Sequence, residues 1–172
     1  MDNKETTTET AQALVITPEA LLAHWQGHRR LTRRLIEAFP EDKLFNYAVG
    51  GMRPFADLVI EFFGMTIPGV KGVVTGKWQK VEEMAHHSNT PKPATKKELL
   101  NQWDETTEQL NQLWAQIPPG RFQEQDKVFG QWEGSIYFFI FYWIDNEIHH
   151  RGQAYVYLRS LGIEPPAFWD RS

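Results

Sequence analysis

Apolar residues recur along most of this chain at helical spacing, and polar or proline-rich stretches divide them into four long segments. The first opens at Thr17-Pro18-Glu19. There a threonine cap, a proline in the first turn and an acid near the positive helix end coincide. Leu21, Leu22, Trp25, Leu31, Leu35 and Phe39 continue the stripe and Pro40 ends it, which predicts a helix over 18–39. Residues 40–52 read as a loop punctuated by Gly50-Gly51. Phe55, Leu58, Val59, Phe62 and Met65 predict a second helix over 54–66, interrupted by Pro68. A short extra helix is expected over 69–84, despite three glycines. Residues 86–95 are a loop by composition. Thr95 to Glu98 match a capping box and open a third helix over 96–116, striped by Leu99, Trp103, Leu110, Leu113 and Trp114. Pro118-Pro119-Gly120 stops it. A connection follows, extended near Val128-Phe129, and the last helix runs from about 134 to 161, closed by Gly162. Its first half is apolar all round, which suits a central helix. The aromatic and β-branched residues of 136–144 also suit a buried strand, but the length of the periodic segment favours helix.

The predicted fold is all-α: an antiparallel up-down four-helix bundle with a short extra helix after the second. Residues 1–16 are polar and acidic and read as a flexible N-terminal tail, leaving 17–172 as one domain. The high aromatic share, with seven Trp and eleven Phe, suits a filled core. A formal net charge of -4 argues against a nucleic-acid binder, and Arg29-Arg30 with Arg33-Arg34 read as a small basic cluster on a solvated face paired with acidic neighbours. No run is read as a membrane span, the greasiest being Ile136 to Ile144, and the first residues lack the pattern of a signal peptide. With no cysteine, a cytoplasmic protein is the expectation.

A bundle builds its sites from polar side chains on otherwise apolar faces. The last helix has such a stretch from Asp145 to Gln153. The face through Phe139, Trp143, Ala154 and Tyr157 is broken by Asn146 and His150, and the face of His149 carries Asp145. Adjacent residues diverge by about 100° around a helix. One of the two histidines therefore faces the core and the other takes a supporting or rim position. Glu147 and Arg151 read as a partly exposed ion pair on a third face. On the second helix, Glu61 lies at the edge of the apolar stripe with Asp57 one turn before it. It is either solvent-exposed or paired across the bundle with His150; a mixed oxygen and nitrogen set of that kind suits nickel, zinc, iron or manganese. His24 and His28 also have clamp spacing, but their face reads as wet, and His86 and His87 read as solvated.

The run Asn146-Glu147-Ile148-His149-His150-Arg151-Gly152-Gln153, followed by Tyr157-Leu158-Arg159 and Gly162, resembles the fourth-helix signature of the DinB (DinB/YfiT-like) superfamily. Met52 to Leu58 resembles the start of that family's second helix. The resemblance implies a bundle, commonly dimeric, with a divalent metal held between the second and fourth helices by three histidines. Here those positions are His150, Asn146 and Glu61, so one histidine of three is kept. The resemblance further implies a metal-dependent transferase or hydrolase acting on a small molecule, with a low-molecular-weight thiol as one substrate. Its alternative is a non-enzymatic stress-response or binding bundle with a degenerate site. Trp143, Phe139 and Tyr157 are expected to wall the pocket, with Asp57, His149 and Arg151 in support.

Overall fold

In the computed structural model, which describes residues 15–84, 86–88 and 90–172, the Thr17 hydroxyl accepts from the Ala20 amide at 3.1 Å and starts α1, Pro18–Ala38. The tail expected over 1–16 lies, for residues 1–14, outside the described residues. A single turn of helix, α2 (Glu41–Asn46), occupies what was expected to be loop and buries Leu44. Helix α3 runs unbroken over Phe55–Thr75, through Pro68 and the first part of the expected extra helix. A proline in a helix interior costs about 3 kcal/mol. Burial of Phe62, Phe63, Val70 and Val73 on either side of it supplies the opposing term. Helix α4, Lys96–Trp114, begins with the anticipated box, in which Thr95 and Glu98 cap each other's backbone amides.

Residues 125–135 form a two-stranded antiparallel hairpin, β1 (Gln125–Val128) and β2 (Trp132–Ser135), so the fold is mostly rather than wholly helical. Phe129 and Gly130 sit in its turn with φ of 54° and 71°. That conformation costs a bulky residue energy. The Phe129 ring is compensated by packing on Trp78, Trp132 and Trp143. Helix α5, Ile136–Ser160, settles the ambiguous stretch 136–144 as helix.

The helices do not alternate in direction as expected. Trp25 stacks on Trp143, and Thr32 bonds Glu147, so α1 and α5 rise together. Phe62 meets Trp103, while Lys71 shares a groove with Gln109 and Gln112, so α3 and α4 descend together. The order is up, down, down, up. Residues 76–95 must therefore climb the length of the bundle, and Trp78 and His86 mark the route by lying on Gly72 and Gly64.

The core falls into two apolar compartments. The lower one holds Leu21, Trp25, Val70, Val73, Leu110, Trp114, Ile136 and Trp143. The upper one holds Leu35, Phe39, Phe55, Phe62, Leu99, Trp103, Ala154 and Leu158. Between them a polar layer crosses every long helix: His28, Arg29 and Thr32 on α1, Glu61 on α3, Thr106 on α4, and Asn146, Glu147, His150 and Arg151 on α5. By length and composition α3 could cross a membrane, contrary to the sequence expectation, with a mean hydropathy of 1.4 over its best window. That window is 67% buried inside the bundle, as suits a core helix.

The climbing connection can be tested through its glycines. A Cβ at Gly72 would lie 2.2 Å from the Trp78 ring, whereas nothing lies within 4 Å of one at Gly152. Gly72→Ala should cost about 1–3 kcal/mol in urea unfolding. Gly152→Ala should be stabilising by about 0.5–1 kcal/mol, since alanine is the better helix former. Equal effects from the two substitutions would contradict the packing described.

Candidate functional site

The antiparallel contact of α3 with α5 brings together Glu61, Asn146 and His150. Glu61 sits on the α5-facing side of α3 one residue before Phe62, whose ring packs 6.1 Å from that of His150. Glu61 Oε1 lies 3.4 Å from His150 Nε2 and 3.4 Å from Asn146 Nδ2. Its other oxygen accepts from Arg53 at 2.5 Å, and the Arg53 carbonyl accepts from the Tyr157 hydroxyl at 3.0 Å. Glu61 and His150 side chains are 15% and 14% exposed, so the pair is shielded but reachable. Burial raises the Glu61 pKa, but hydrogen bonds from His150 and Arg53 outweigh it and hold the carboxyl at about 2. The Nδ1 of His150 is buried with no hydrogen-bond partner.

The other expected residues fall around this trio unevenly. Tyr157 supports Arg53 from below the surface. Asp57 is half-buried one turn before Glu61, and among the described residues no hydrogen bond ties it to the three. His149 is exposed, with its Nε2 3.3 Å from Gln153. Trp143 lies in the lower compartment against Gly69 and Trp25, and Phe139 lies with it, two and three turns from His150. Arg151 points away from the trio, towards α1. Two neighbours escaped the sequence reading. Arg53 lies in the extended chain just before α3, from where its long side chain reaches the second Glu61 oxygen. His86 was expected to be solvated, but it is half-buried on Gly64, one turn after Glu61, and its Nδ1 is buried and unpartnered. Gly64, a gap in the α3 surface beside the carboxylate, was the available signal.

Among the described residues no three His, Cys, Asp or Glu side chains converge as a ready metal cluster. The trio does fit a more modest centre. Donors about 2.0–2.2 Å from one tetrahedral ion lie about 3.3–3.6 Å apart. The two 3.4 Å separations match that spacing. A half-turn of the Asn146 amide would present its oxygen, and Arg53 would hold the far carboxylate oxygen, as hydrogen-bonded neighbours of metal ligands do. A separate groove of about 670 Å³, lined by Leu22, Trp114 and Phe122, lies away from these residues at the lower end.

A model of the DinB family matches residues 5–171. The chain belongs to the DinB family. Its fold is also similar to that of a DinB-like protein from Bacillus cereus ATCC 10987, with TM-score 0.69 and 16% identity over 88% of this chain and 97% of that one. A DinB-like protein from Bacillus subtilis gives TM-score 0.68 and 16% identity over 88% and 99%. No curated protein matches the sequence.

On the opposite side of α5 this DinB-family chain carries a second polar cluster that the sequence reading misjudged. Glu147 is 1% exposed rather than partly exposed; it accepts from Thr32 at 2.5 Å and lies 3.7 Å from Arg151. His28, expected to be wet, is 1% exposed. Its Nδ1 lies 2.8 Å from Arg151 Nη2 and its Nε2 lies 2.7 Å from Arg171 Nη1. The signal was present: positions 21, 25, 28, 32 and 35 form an unbroken helical stripe, so His28 and Thr32 face inward with Leu21, Trp25 and Leu35.

Burial first, then the charges of Arg151 and Arg171 and the neighbouring His24, push the His28 pKa from 6.5 down to about 3. The unfolded chain therefore binds a proton on this ring, between those two values, that the folded chain refuses. Stability should fall as pH drops from about 6.5 towards 3, with no contribution from His28 above that window. His28→Gln removes the titration and keeps an acceptor for Arg151. Urea unfolding at pH 7 and pH 4 should show a smaller acid loss in the variant than in the wild type; parallel losses would exclude this role for His28.

Proposed function

We propose that this DinB-family bundle holds a divalent metal ion (nickel, zinc, iron or manganese) between Glu61, Asn146 and His150, and acts through it on a small molecule as a transferase or hydrolase. The observation that carries the reading is the 3.4 Å spacing of Glu61 Oε1 from both the His150 imidazole and the Asn146 amide. When bound, such an ion lowers the pKa of a water or a low-molecular-weight thiol on its open position. The protein's own residues supply the rest. Arg53 fixes the carboxylate so that Oε1 faces His150, Tyr157 fixes Arg53, and Phe62 sets the plane of the imidazole. His86 and Asn146 border the approach to it.

A second reading is favoured by the Arg53–Glu61 pair. The guanidinium already neutralises the carboxylate, so the centre is chemically complete as a metal-free binding site for a small polar molecule. Protein purified without a polyhistidine tag separates the two. If the first reading holds, nickel, zinc, iron or manganese raises the melting temperature of wild type but not of Glu61→Ala or His150→Ala. At one hundred times Kd the gain is about 2.7 kcal/mol. A wild type that carries no ion after reconstitution and shows no shift leaves the second reading standing.

The partner in this proposal is a second copy. Tyr137, Phe138, Phe141, Tyr142 and Val156 lie exposed on the outer face of α5. An apolar face of that kind is what a twofold contact between like helices would cover. Phe138→Glu with Tyr142→Glu should then halve the mass measured by light scattering at tens of micromolar, and a monomeric wild type would refute the dimer.

A further inference from the structure

The outer face of α5 carries a periodicity of its own. Phe138, Tyr142, Asp145, His149, Gly152 and Val156 follow one another at alternating steps of four and three, and all six are exposed. Such steps average about 3.5 residues, the repeat with which two helices keep one seam in contact as they wind around each other. The seam runs most of the length of α5, about 27 Å from Phe138 to Val156 at the rise of an α-helix. The opposite face, through Phe139, Trp143, Ala154 and Tyr157, is already buried in the bundle.

The seam is complementary to itself in one direction. Positions 138 and 156, 142 and 152, and 145 and 149 lie equally far on either side of Glu147. A twofold axis crossing the helix at that level brings each to its opposite number in a second copy. The large Phe138 then meets the smaller Val156, the Tyr142 ring meets a residue with no side chain, and an acid meets an imidazole. A Cβ at Gly152 would find nothing within 4 Å, so within one chain no packing accounts for a glycine in the middle of this helix. The Asp145 carboxylate can accept from an imidazole N–H in either charge state of the ring. With the helices parallel each position would meet itself. Asp145 would then face Asp145, a juxtaposition that opposes association, and the two copies of Gly152 would leave a gap.

We propose that two copies of this chain pair their α5 helices antiparallel about a twofold axis level with Glu147. Phe138 packs on the partner's Val156, Tyr142 lies across the partner's Gly152, and Asp145 accepts from the partner's His149. This pairing rests on the dimer proposed above and adds its direction and register. Asp145 and His149 each immediately precede a member of the trio, Asn146 and His150, so the contact between copies borders both candidate sites.

The chain has no cysteine, so introduced thiols report the register without background. Tyr142→Cys combined with Gly152→Cys should give a disulfide-linked dimer on mild oxidation. Tyr142→Cys alone should not, because the two copies of position 142 lie about 15 Å apart along the axis, and a disulfide needs Cα atoms within about 7 Å. Exchange of charge is an independent measure. His149→Glu sets like charges face to face twice per dimer and should raise the dimer dissociation constant about tenfold or more. Adding Asp145→Arg should bring it back near the wild-type value, with the circular dichroism of the helices unchanged throughout. Cross-linking by Tyr142→Cys alone, no cross-link from the paired cysteines, or a dissociation constant indifferent to His149→Glu overturns this register and leaves the dimer standing. A wild type that is monomeric at tens of micromolar overturns both, and the face then belongs to a different partner.

Discussion

A carboxyl group at the centre of a protein needs partners, and the partners of Glu147 come from two helices. Thr32 of α1 bonds it and Arg151 of its own helix lies one turn above, itself held by the carbonyl and ring of His28. Arg29 extends the layer to α4 by stacking on Trp103 and bonding Thr107. Leaving a buried charge unpaired costs several kcal/mol. A slip of α1 against α5 by one turn would strand Glu147 among leucines and tryptophans. The polar layer therefore sets the vertical register of helices that apolar packing alone would leave free to slide.

With that register set, direction decides what else meets. The shared direction of α3 and α4 forces residues 76–95 to climb past Glu61, which carries His86 to the edge of the trio. The shared direction of α1 and α5 leaves a groove that the C-terminal segment fills, bringing Arg171 to His28. Both consequences are long-range, and neither follows from local periodicity.

That division accounts for what could be read from the chain. The expected 18–39 and 96–116 came within two residues of the observed helices because their caps are local: Thr17 bonds Ala20, and Thr95 bonds Glu98. Pro68 misled because its cost is local while the burial that offsets it is tertiary. Helix α2 escaped because six residues with a single buried leucine carry no period. Glu61 and His150 stood out as polar interruptions of apolar faces, and the structure brings them within 3.4 Å. Glu147, Arg151 and His28 interrupt faces in the same way, but spaced opposite charges first suggest an exposed pair. Only the matching stripe on α1, with His28 and Thr32 on it, would have turned them inward.

The split of the core has a spectroscopic side. Trp25, Trp114 and Trp143 belong to the lower compartment, where Trp78 packs against them and Trp132 meets Phe129 edge to face nearby. Trp103 alone belongs to the upper compartment, and Trp169 sits on the C-terminal segment. Intrinsic emission from this protein is thus a weighted view of its lower half. The neighbourhood of Phe39, Phe55 and Tyr157 contributes to it through one indole, stacked under the Arg29 guanidinium.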